Sequence, residues 1–283
     1  MKKIIFILGI LLILSPAFLT AQVPDLFSDM NRMFDELDGT GPFYFPMDEY
    51  FLGRAAAASI VSIYGIYTGN PQLTRYLNLI CQALVINSRD YPIAFRGYRV
   101  SILNSPQINA LSTPSGHIFL TRGLIQAAPS EDALAAVIAH ELAHIMLRHS
   151  IRIIESDEGR MLRERDRVID RAGTLFGTRV NNFGIAVNRL NTLWMSRLTS
   201  DLEYEADIVA VELLVGAGYN ANGLIEMLNI LNGIQASRLG ESFHTHPMPS
   251  QRIARLTRVM PSVSRLPDNS ATRTARFNRI TGR

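Results

Sequence analysis

The sequence predicts an α+β fold that is mainly helical, with a small sheet of about three strands. Apolar residues recur at helical spacing through the first third and most of the second half of the 283 residues. Between these parts, residues 95–120 alternate in part between apolar and polar side chains and contain two turn sequences. The hydrophobic share of 47% is ample for one globular domain with a substantial core.

The N-terminus has the pattern of a secretory signal peptide. Lys2 and Lys3 precede an apolar run over residues 4–14, and the small residue Ala21 follows. We therefore expect residues 1–21 to direct export to the periplasm and to be cleaved. The apolar run is short for a membrane span, and an uncleaved anchor is the alternative.

The charge balance argues against a nucleic-acid-binding protein. Without Lys2 and Lys3, the 28 basic residues become 26 arginines against 25 acidic residues, a formal charge of +1. This near balance predicts none of the basic surface that nucleic acids require. The single cysteine, Cys81, lies in an apolar stretch, and we expect it to be a buried small hydrophobic residue.

Helices are expected over most of residues 22–87. Helical spacing marks residues 25–37, a Gly-Thr-Gly-Pro break follows, and residues 43–46 are expected to form an aromatic loop. An Ala-rich helix is expected from 48 to about 67. Asn70 followed by Pro71 is an N-cap with proline at the first helical position, which predicts a helix to about residue 87.

Three short strands are expected next, at residues 95–103, 108–112 and 117–120. The sequences Asn-Ser-Pro at 104–106 and Thr-Pro-Ser-Gly at 113–116 predict the turns between them. The small sheet therefore comes directly before a helical run at residues 135–147.

The second half of the chain is predicted to be helical again. A charged helix is expected at 151–171, a mobile glycine-containing segment at 172–183, a long helix at 186–216 and another helix from about 222 to 233. A proline-containing loop at 241–250 leads to a helix ending near Val259. Residues 262–283 are polar and Arg-rich, and we expect a frayed tail. The predicted organisation is a signal peptide at 1–21, one domain at 22–260 and a tail at 261–283.

The helical run at residues 135–147 carries two histidines. Ser130 is a favourable N-cap, and two acidic residues follow it where the helix dipole favours negative charge. His140 and His144 are four residues apart, so they lie on the same helix face. Two imidazole nitrogens in this arrangement can bind one zinc ion at about 2 Å. Glu141, next to the first histidine, can reach a water at that ion, which is where a general base for hydrolysis belongs.

A catalytic zinc site requires a third protein ligand. Glu203 and Asp207 are four residues apart on a predicted helix and share a face. We assign Glu203 as the third metal ligand and Asp207 as the carboxylate that orients His140 or His144 through its free N–H. The alternative is an exposed acidic helix face. Glu205 points elsewhere by helical phase and is expected to be solvated or salt-bridged.

These residues resemble the zinc metallopeptidase family typified by the CAAX prenyl protease and HtpX. The resemblance is carried by residues 137–144 and 203–207, by the upstream segments 108–111, 116–120 and 121–124, and by Thr245-His246-Pro247 followed by Arg252. It covers roughly residues 90–258, the expected catalytic core, and implies a zincin-like metallopeptidase domain over 22–260 with one Zn²⁺ per chain. Because no second long apolar span exists, the chain is more similar to the soluble periplasmic members.

The resemblance implies peptide hydrolysis, with Glu141 taking the proton of a water and passing it to the leaving amine. Asn109 and Ala110, if on an edge strand, can hold an extended substrate by strand addition. His246 either stabilises the oxyanion or occupies the fourth metal position and keeps the enzyme latent, and His244 competes for both roles.

The expected function is quality control of envelope proteins. The substrates would be misfolded or unassembled protein chains, and outer-membrane assembly machinery is a further expected partner. Peripheral contact with a membrane is left open for residues 175–195. The alternative is a chaperone-like assembly factor with minor or gated proteolysis; its apolar contacts would come from the aromatic loop and the glycine-containing segment.

Overall fold

A three-stranded sheet and a layer of helices surround the helix that carries the two histidines. The computed structural model describes residues 46–86, 88, 91–155, 200–237, 249–260 and 270–283. All of them belong to the second of two units, Pro46–Arg283, into which the chain divides. The predictions for the signal peptide, residues 25–37, the aromatic loop, residues 156–199 and the loop with His244 and His246 lie outside the described residues.

Nine helices are found within the described residues. They are α1 (Pro46–Tyr64), α2 (Pro71–Ile86), α3 (Arg122–Ala127), α4 (Glu131–Met146), α5 (His149–Glu155), α6 (Ser200–Gly216), α7 (Asn222–Ser237), α8 (Pro249–Val259) and α9 (Ser270–Thr281). The three strands are β1 (Arg99–Leu103), β2 (Ala110–Thr113) and β3 (His117–Thr121). The mainly helical α+β class and the small sheet before α4 are therefore confirmed.

The sheet has the order β1-β3-β2. β1 runs parallel to β3, and β2 runs antiparallel to β3 with Ala110 opposite Leu120. Ser115 and Gly116, with φ of 63° and 110°, make the tight turn between β2 and β3. A Cβ on Gly116 would lie 2.1 Å from the carbonyl oxygen of Gly97, so this turn requires glycine. The topology leaves β2 at an edge of the sheet, on the side that packs against α4.

Helix α4 is buried along almost its whole length. The Ser130 hydroxyl accepts a hydrogen bond from the backbone N–H of Ala133, the N-cap that the sequence predicts. The side chains of Leu134, Ile138 and Leu142 are fully buried against the surrounding helices and sheet. A helix that is apolar on all sides is stable in the centre of a core, and there its backbone holds polar side chains at fixed positions.

The C-terminal residues differ from the prediction. Residues 270–281 form α9, which contacts α2 and α4, so the expectation of a frayed tail is wrong for them. Phe277 is 2% exposed, and Arg276 pairs with the buried carboxylate of Glu131. A single aromatic anchor and arginines with acidic partners on another helix are sufficient to dock this polar segment. The domain boundaries at 21/22 and 260/261 stay predictions.

Several element ends also differ from the predictions. Helix α1 ends at Tyr64 because Gly65 adopts a φ of 67°. Strand β1 begins at Arg99 rather than at residue 95, after a turn that includes Gly97. No helix in the described part of the chain is long and apolar enough to cross a membrane.

Candidate active site

Two helices bring three potential metal ligands together in the core. His140 and His144 of α4 have their Nε2 atoms 3.0 Å apart. Glu203 of α6 places Oε2 3.3 Å from Nε2 of His140 and Oε1 3.4 Å from Nε2 of His144. All three side chains are buried. The carboxylate lies 59 residues after His144, and it reaches the histidines because α6 packs along α4.

The donor set fits a zinc ion. Two imidazole nitrogens and one carboxylate oxygen are ordinary ligands of catalytic zinc, which keeps a further position for water or substrate. Ligand atoms at about 2.0–2.1 Å from a tetrahedral ion are separated from one another by about 3.3 Å. The observed separations of 3.0, 3.3 and 3.4 Å are close to that value.

Asp207 lies behind His140. Its Oδ1 atom is 3.1 Å from Nδ1 of His140, on the opposite side of the ring from Glu203. Arg252 of α8 donates to both oxygens of Asp207, from Nε at 2.9 Å and from Nη2 at 2.6 Å. Burial raises the pKa of Asp207, but the positive charge of Arg252 and the hydrogen bonds from His140 and Arg252 outweigh it and hold the pKa at about 2. Asp207 is therefore ionised at neutral pH and accepts a hydrogen bond from Nδ1–H of His140.

The electrostatic environment differs between the two histidines. Burial and the nearby Arg252 lower the pKa of His140, yet hydrogen bonds to Asp207 and Glu203 prevail and raise it to about 9. Burial lowers the pKa of the second histidine, His144. Two buried carboxylates thus face His140, and one of them, Glu203, also pairs with Arg252, whose Nη1 atom lies 3.1 Å from Oε2.

Glu141 faces the edge strand of the sheet. Its Oε2 atom accepts a hydrogen bond from the hydroxyl of Ser112 on β2, at 2.6 Å. The carboxylate is 3% exposed and follows His140 directly in the chain. A carboxylate beside the candidate ligands has the position that a general base requires.

His149 forms a second layer behind His144. Its Nδ1 atom lies 2.8 Å from Nδ1 of His144, and its Nε2 atom lies 3.2 Å from Oε2 of Glu205. Arg152 also donates to Glu205, at 2.6 Å, so Glu205 is salt-bridged as the sequence predicts. Burial lowers the pKa of His149 to about 4, which makes the ring neutral at pH 7.

A small open cleft adjoins the cluster. His144 and Ser112 line it on one side, and Glu49, Pro114, Arg148 and Ile151 contribute to the rest of its wall. Glu49 and Arg148 form an ion pair between α1 and the end of α4. The cleft therefore lies between His144 of the donor cluster and strand β2.

The structure brings together most of the side chains that the sequence singles out. His140, His144 and Glu203 form one cluster, with Glu141 and Asp207 next to it. His246 and its competitor His244 lie outside the described residues.

Sequence reasoning did not predict that three further residues contact the site. Ser112 had no signal of its own, Arg252 entered only through the family resemblance, and nothing in the sequence placed His149 beside His144. His149 follows His144 by five residues, and residues at this spacing on one helix point in different directions. The contact arises because the backbone changes direction at Arg148, which has a φ of 54°.

Three features together define a metallopeptidase domain. They are a helix with two histidines and a glutamate, a carboxylate from a second helix, and an adjoining edge strand. Comparison with known families agrees with this class. The sequence model described as "Peptidase family M48" matches residues 71–260, and the chain belongs to that family. The predicted relationship to the zinc metallopeptidases is thereby confirmed.

Individual relatives are similar over more than half of the chain. The chain is 26% identical over 202 residues to the β-barrel assembly-enhancing protease of Escherichia coli K12, covering 65% of this chain and 38% of the relative. A putative β-barrel assembly-enhancing protease of Vibrio cholerae is 30% identical over 193 residues, with the same coverages of 65% and 38%. The mitochondrial metalloendopeptidase OMA1 of Schizosaccharomyces pombe is 27% identical over 169 residues, which are 58% of this chain and 47% of the relative. The chain spans less than half the length of each of these relatives.

Proposed function

We propose that this protein is a zinc-dependent metalloendopeptidase. The observation that carries the proposal is the buried cluster of His140, His144 and Glu203, with Glu141 beside it. Membership of the M48 family supports the same reaction class. One Zn²⁺ per chain would be held by the two Nε2 atoms and the Glu203 carboxylate.

Bound zinc would supply Lewis-acid chemistry that makes water nucleophilic near neutral pH and polarises a peptide carbonyl. Glu141 takes a proton from the attacking water and delivers it to the amine leaving group. The hydroxyl of Ser112 donates to Oε2 of Glu141 and thereby orients this carboxylate. Asp207 keeps His140 in the tautomer that presents Nε2 to the metal.

An extended substrate would bind along β2. Among the described strands, β2 pairs only with β3, and its residues Ser112 and Thr113 line the cleft. Ala110 begins this strand, and we assign it to main-chain contacts with the substrate. The same expectation for Asn109 is wrong, because its N–H donates to Oγ1 of Thr121 and its carbonyl accepts from the Thr121 N–H, so both groups face β3. Strand addition presents a peptide bond without reading its side chains, which suits a protease that acts on unfolded chains.

The biological setting follows from the sequence and from the relatives. We propose that residues 1–21 are a signal peptide, that the catalytic core spans about 90–258 within a domain at 22–260, and that the protein acts in the periplasm, with peripheral membrane contact left open. Its substrates would be misfolded or unassembled envelope proteins. The name of the E. coli relative, a β-barrel assembly-enhancing protease, supports outer-membrane assembly machinery as a partner.

We further propose that His246, in a proline-flanked loop, regulates the site. It would either close the fourth metal position or stabilise the oxyanion, with His244 as the competing residue. Replacing His246 with Ala raises proteolysis in the first case and lowers it in the second. An unchanged rate removes both roles.

The experiment that tests the proposed activity is casein cleavage by the purified protein. We expect cleavage that stops with a chelator, returns with zinc and is absent in Glu141→Gln. Cleavage that is insensitive to both changes would exclude a metalloprotease. Prevention of casein aggregation by the wild type and Glu141→Gln alike, without cleavage, would favour the chaperone-like alternative.

A further inference from the structure

His149 is a fully buried histidine whose two ring nitrogens both have partners. Its side chain is 0% exposed, between the metal cluster and the protein surface. Nδ1 faces Nδ1 of His144 at 2.8 Å, and Nε2 faces Oε2 of Glu205 at 3.2 Å. The side chain of Glu205 is 45% exposed, so the chain of contacts runs from a candidate metal ligand to solvent.

The direction of these hydrogen bonds is determined by the ligand role of His144. Nε2 of His144 faces His140 and Glu203, so a neutral ring that binds metal through Nε2 carries its proton on Nδ1. That N–H can donate only to an unprotonated Nδ1 on His149. His149 must then carry its own proton on Nε2, where the carboxylate of Glu205 accepts it. Each ring thus fixes the tautomer of the next.

Local backbone geometry places His149 at this position. Arg148 adopts a left-handed conformation with a φ of 54°, which ends α4 and allows α5 to begin at His149. Arg148 Nε donates to Oε1 of Glu49 at 2.8 Å, a contact that holds the reversal against α1. Without the reversal, residues five apart on one helix would point in different directions.

We propose that His149, held by Glu205, is a positioning residue that fixes the tautomer and orientation of His144 and thereby increases the affinity of the site for zinc. The inference deepens the proposed function and rests on it. Partners of this kind typically contribute a factor of about 10 to 100 to metal affinity. His149 is not a catalytic residue, because it contacts neither substrate nor the reacting atoms.

The test measures zinc affinity by competition with a chromophoric chelator, using the wild type, His149→Leu and His149→Asn. We expect His149→Leu to bind zinc about 10 to 100 times more weakly, because leucine offers no acceptor to Nδ1 of His144. His149→Asn can place its amide oxygen near the former Nδ1 atom and should recover most of this loss. The visible spectrum of the cobalt(II)-loaded proteins provides a second readout, which should change in His149→Leu and remain close to the wild type in His149→Asn.

Thermal unfolding of the metal-free proteins separates folding from metal binding. If His149→Leu does not fold, Glu205→Ala replaces it, because Glu205 is exposed and its loss removes the acceptor for Nε2 of His149 together with one exposed ion pair to Arg152. We expect about a threefold to tenfold loss of zinc affinity in Glu205→Ala. Glu212→Ala is the matched control, since this exposed glutamate on the same helix accepts from the Tyr91 hydroxyl at 2.7 Å, away from the cluster.

The outcomes distinguish the inference from the proposed function. A wild-type protein that binds no zinc overturns the proposed function itself. If the wild type binds zinc and folded His149→Leu or Glu205→Ala binds it equally well, the inference is overturned but the proposed function is not. Equal losses in His149→Leu and His149→Asn also overturn the inference, because packing rather than the accepted hydrogen bond would then be responsible.

Discussion

The hydroxyl of Ser112 lies 2.6 Å from Oε2 of Glu141, joining the edge strand β2 to helix α4. The two residues are 29 positions apart in the sequence. The contact connects the strand on which a substrate would lie with the carboxylate that would activate water. Under the proposed function, this hydrogen bond would couple the position of the substrate to that of the base.

Replacing Ser112 with Ala is predicted to lower kcat of peptide cleavage about tenfold. A hydrogen bond to a charged acceptor is worth about 1.5 kcal/mol, and without it the Glu141 carboxylate samples other rotamers. KM and zinc content should stay unchanged, because Ser112 is not among the ligands. Steady-state kinetics with a fluorogenic peptide measure the effect, and Ser112→Thr should retain most of the activity.

Ser101→Ala is the matched control for this change. Ser101 is a partly buried serine on β1, the opposite edge of the same sheet. An equal loss of kcat in both variants would indicate a general effect on the sheet and contradict the assigned role of Ser112.

Asp207→Asn is predicted to weaken zinc binding by a factor of about 10 to 100. The amide removes the charge that both His140 and Arg252 contact, and it leaves the buried guanidinium of Arg252 without its bidentate partner. Isothermal titration with zinc measures the affinity. Asp201→Asn, an exposed position earlier on the same helix, should bind as the wild type does, and equal binding by Asp207→Asn would contradict the orienting role.

Phe277→Ala is predicted to lower the free energy of unfolding by about 3–5 kcal/mol. The side chain is 2% exposed and anchors α9, although this segment is otherwise polar. Denaturant unfolding of the metal-free protein measures the change. The exposed Arg279→Ala on the same helix should change it by less than about 0.5 kcal/mol. A negligible effect of Phe277→Ala would show that α9 is not docked.

Cys81 is predicted to resist iodoacetamide at pH 8 in the folded protein. The residue is 1% exposed, and burial raises the pKa of its thiol to about 12, so almost no thiolate forms at that pH. Labelling should begin only when denaturant unfolds the chain, which mass spectrometry detects. Stoichiometric labelling of the folded protein would contradict the observed packing.

Sequence reasoning was most successful where the interactions are local. The N-cap at Ser130 and the shared face of His140 and His144 depend only on residues within a few positions of each other. The predicted strands could be placed to within a few residues because turns flank them. The parallel pairing of β1 with β3 could not be predicted, since partial alternation carries no information about strand direction.

The remaining features depend on contacts between distant residues. Arg252 binds Asp207 across 45 positions, and Arg276 meets Glu131 across 145. An arginine that is isolated in sequence has the pattern of a solvated side chain, and only the fold reveals its acidic partner. The prediction of a frayed tail was wrong for the same reason. The polarity of the segment suggested exposure, but the acidic partners of its arginines are on α4.

The central claim is that His140, His144 and Glu203 bind one zinc ion. Anomalous diffraction at the zinc absorption edge, from crystals of an active preparation, tests it most directly. The account predicts one peak per chain at about 2.0–2.2 Å from Nε2 of both histidines and from a carboxylate oxygen of Glu203. An active preparation whose crystals show no peak there, or a peak bound by other side chains, would contradict it.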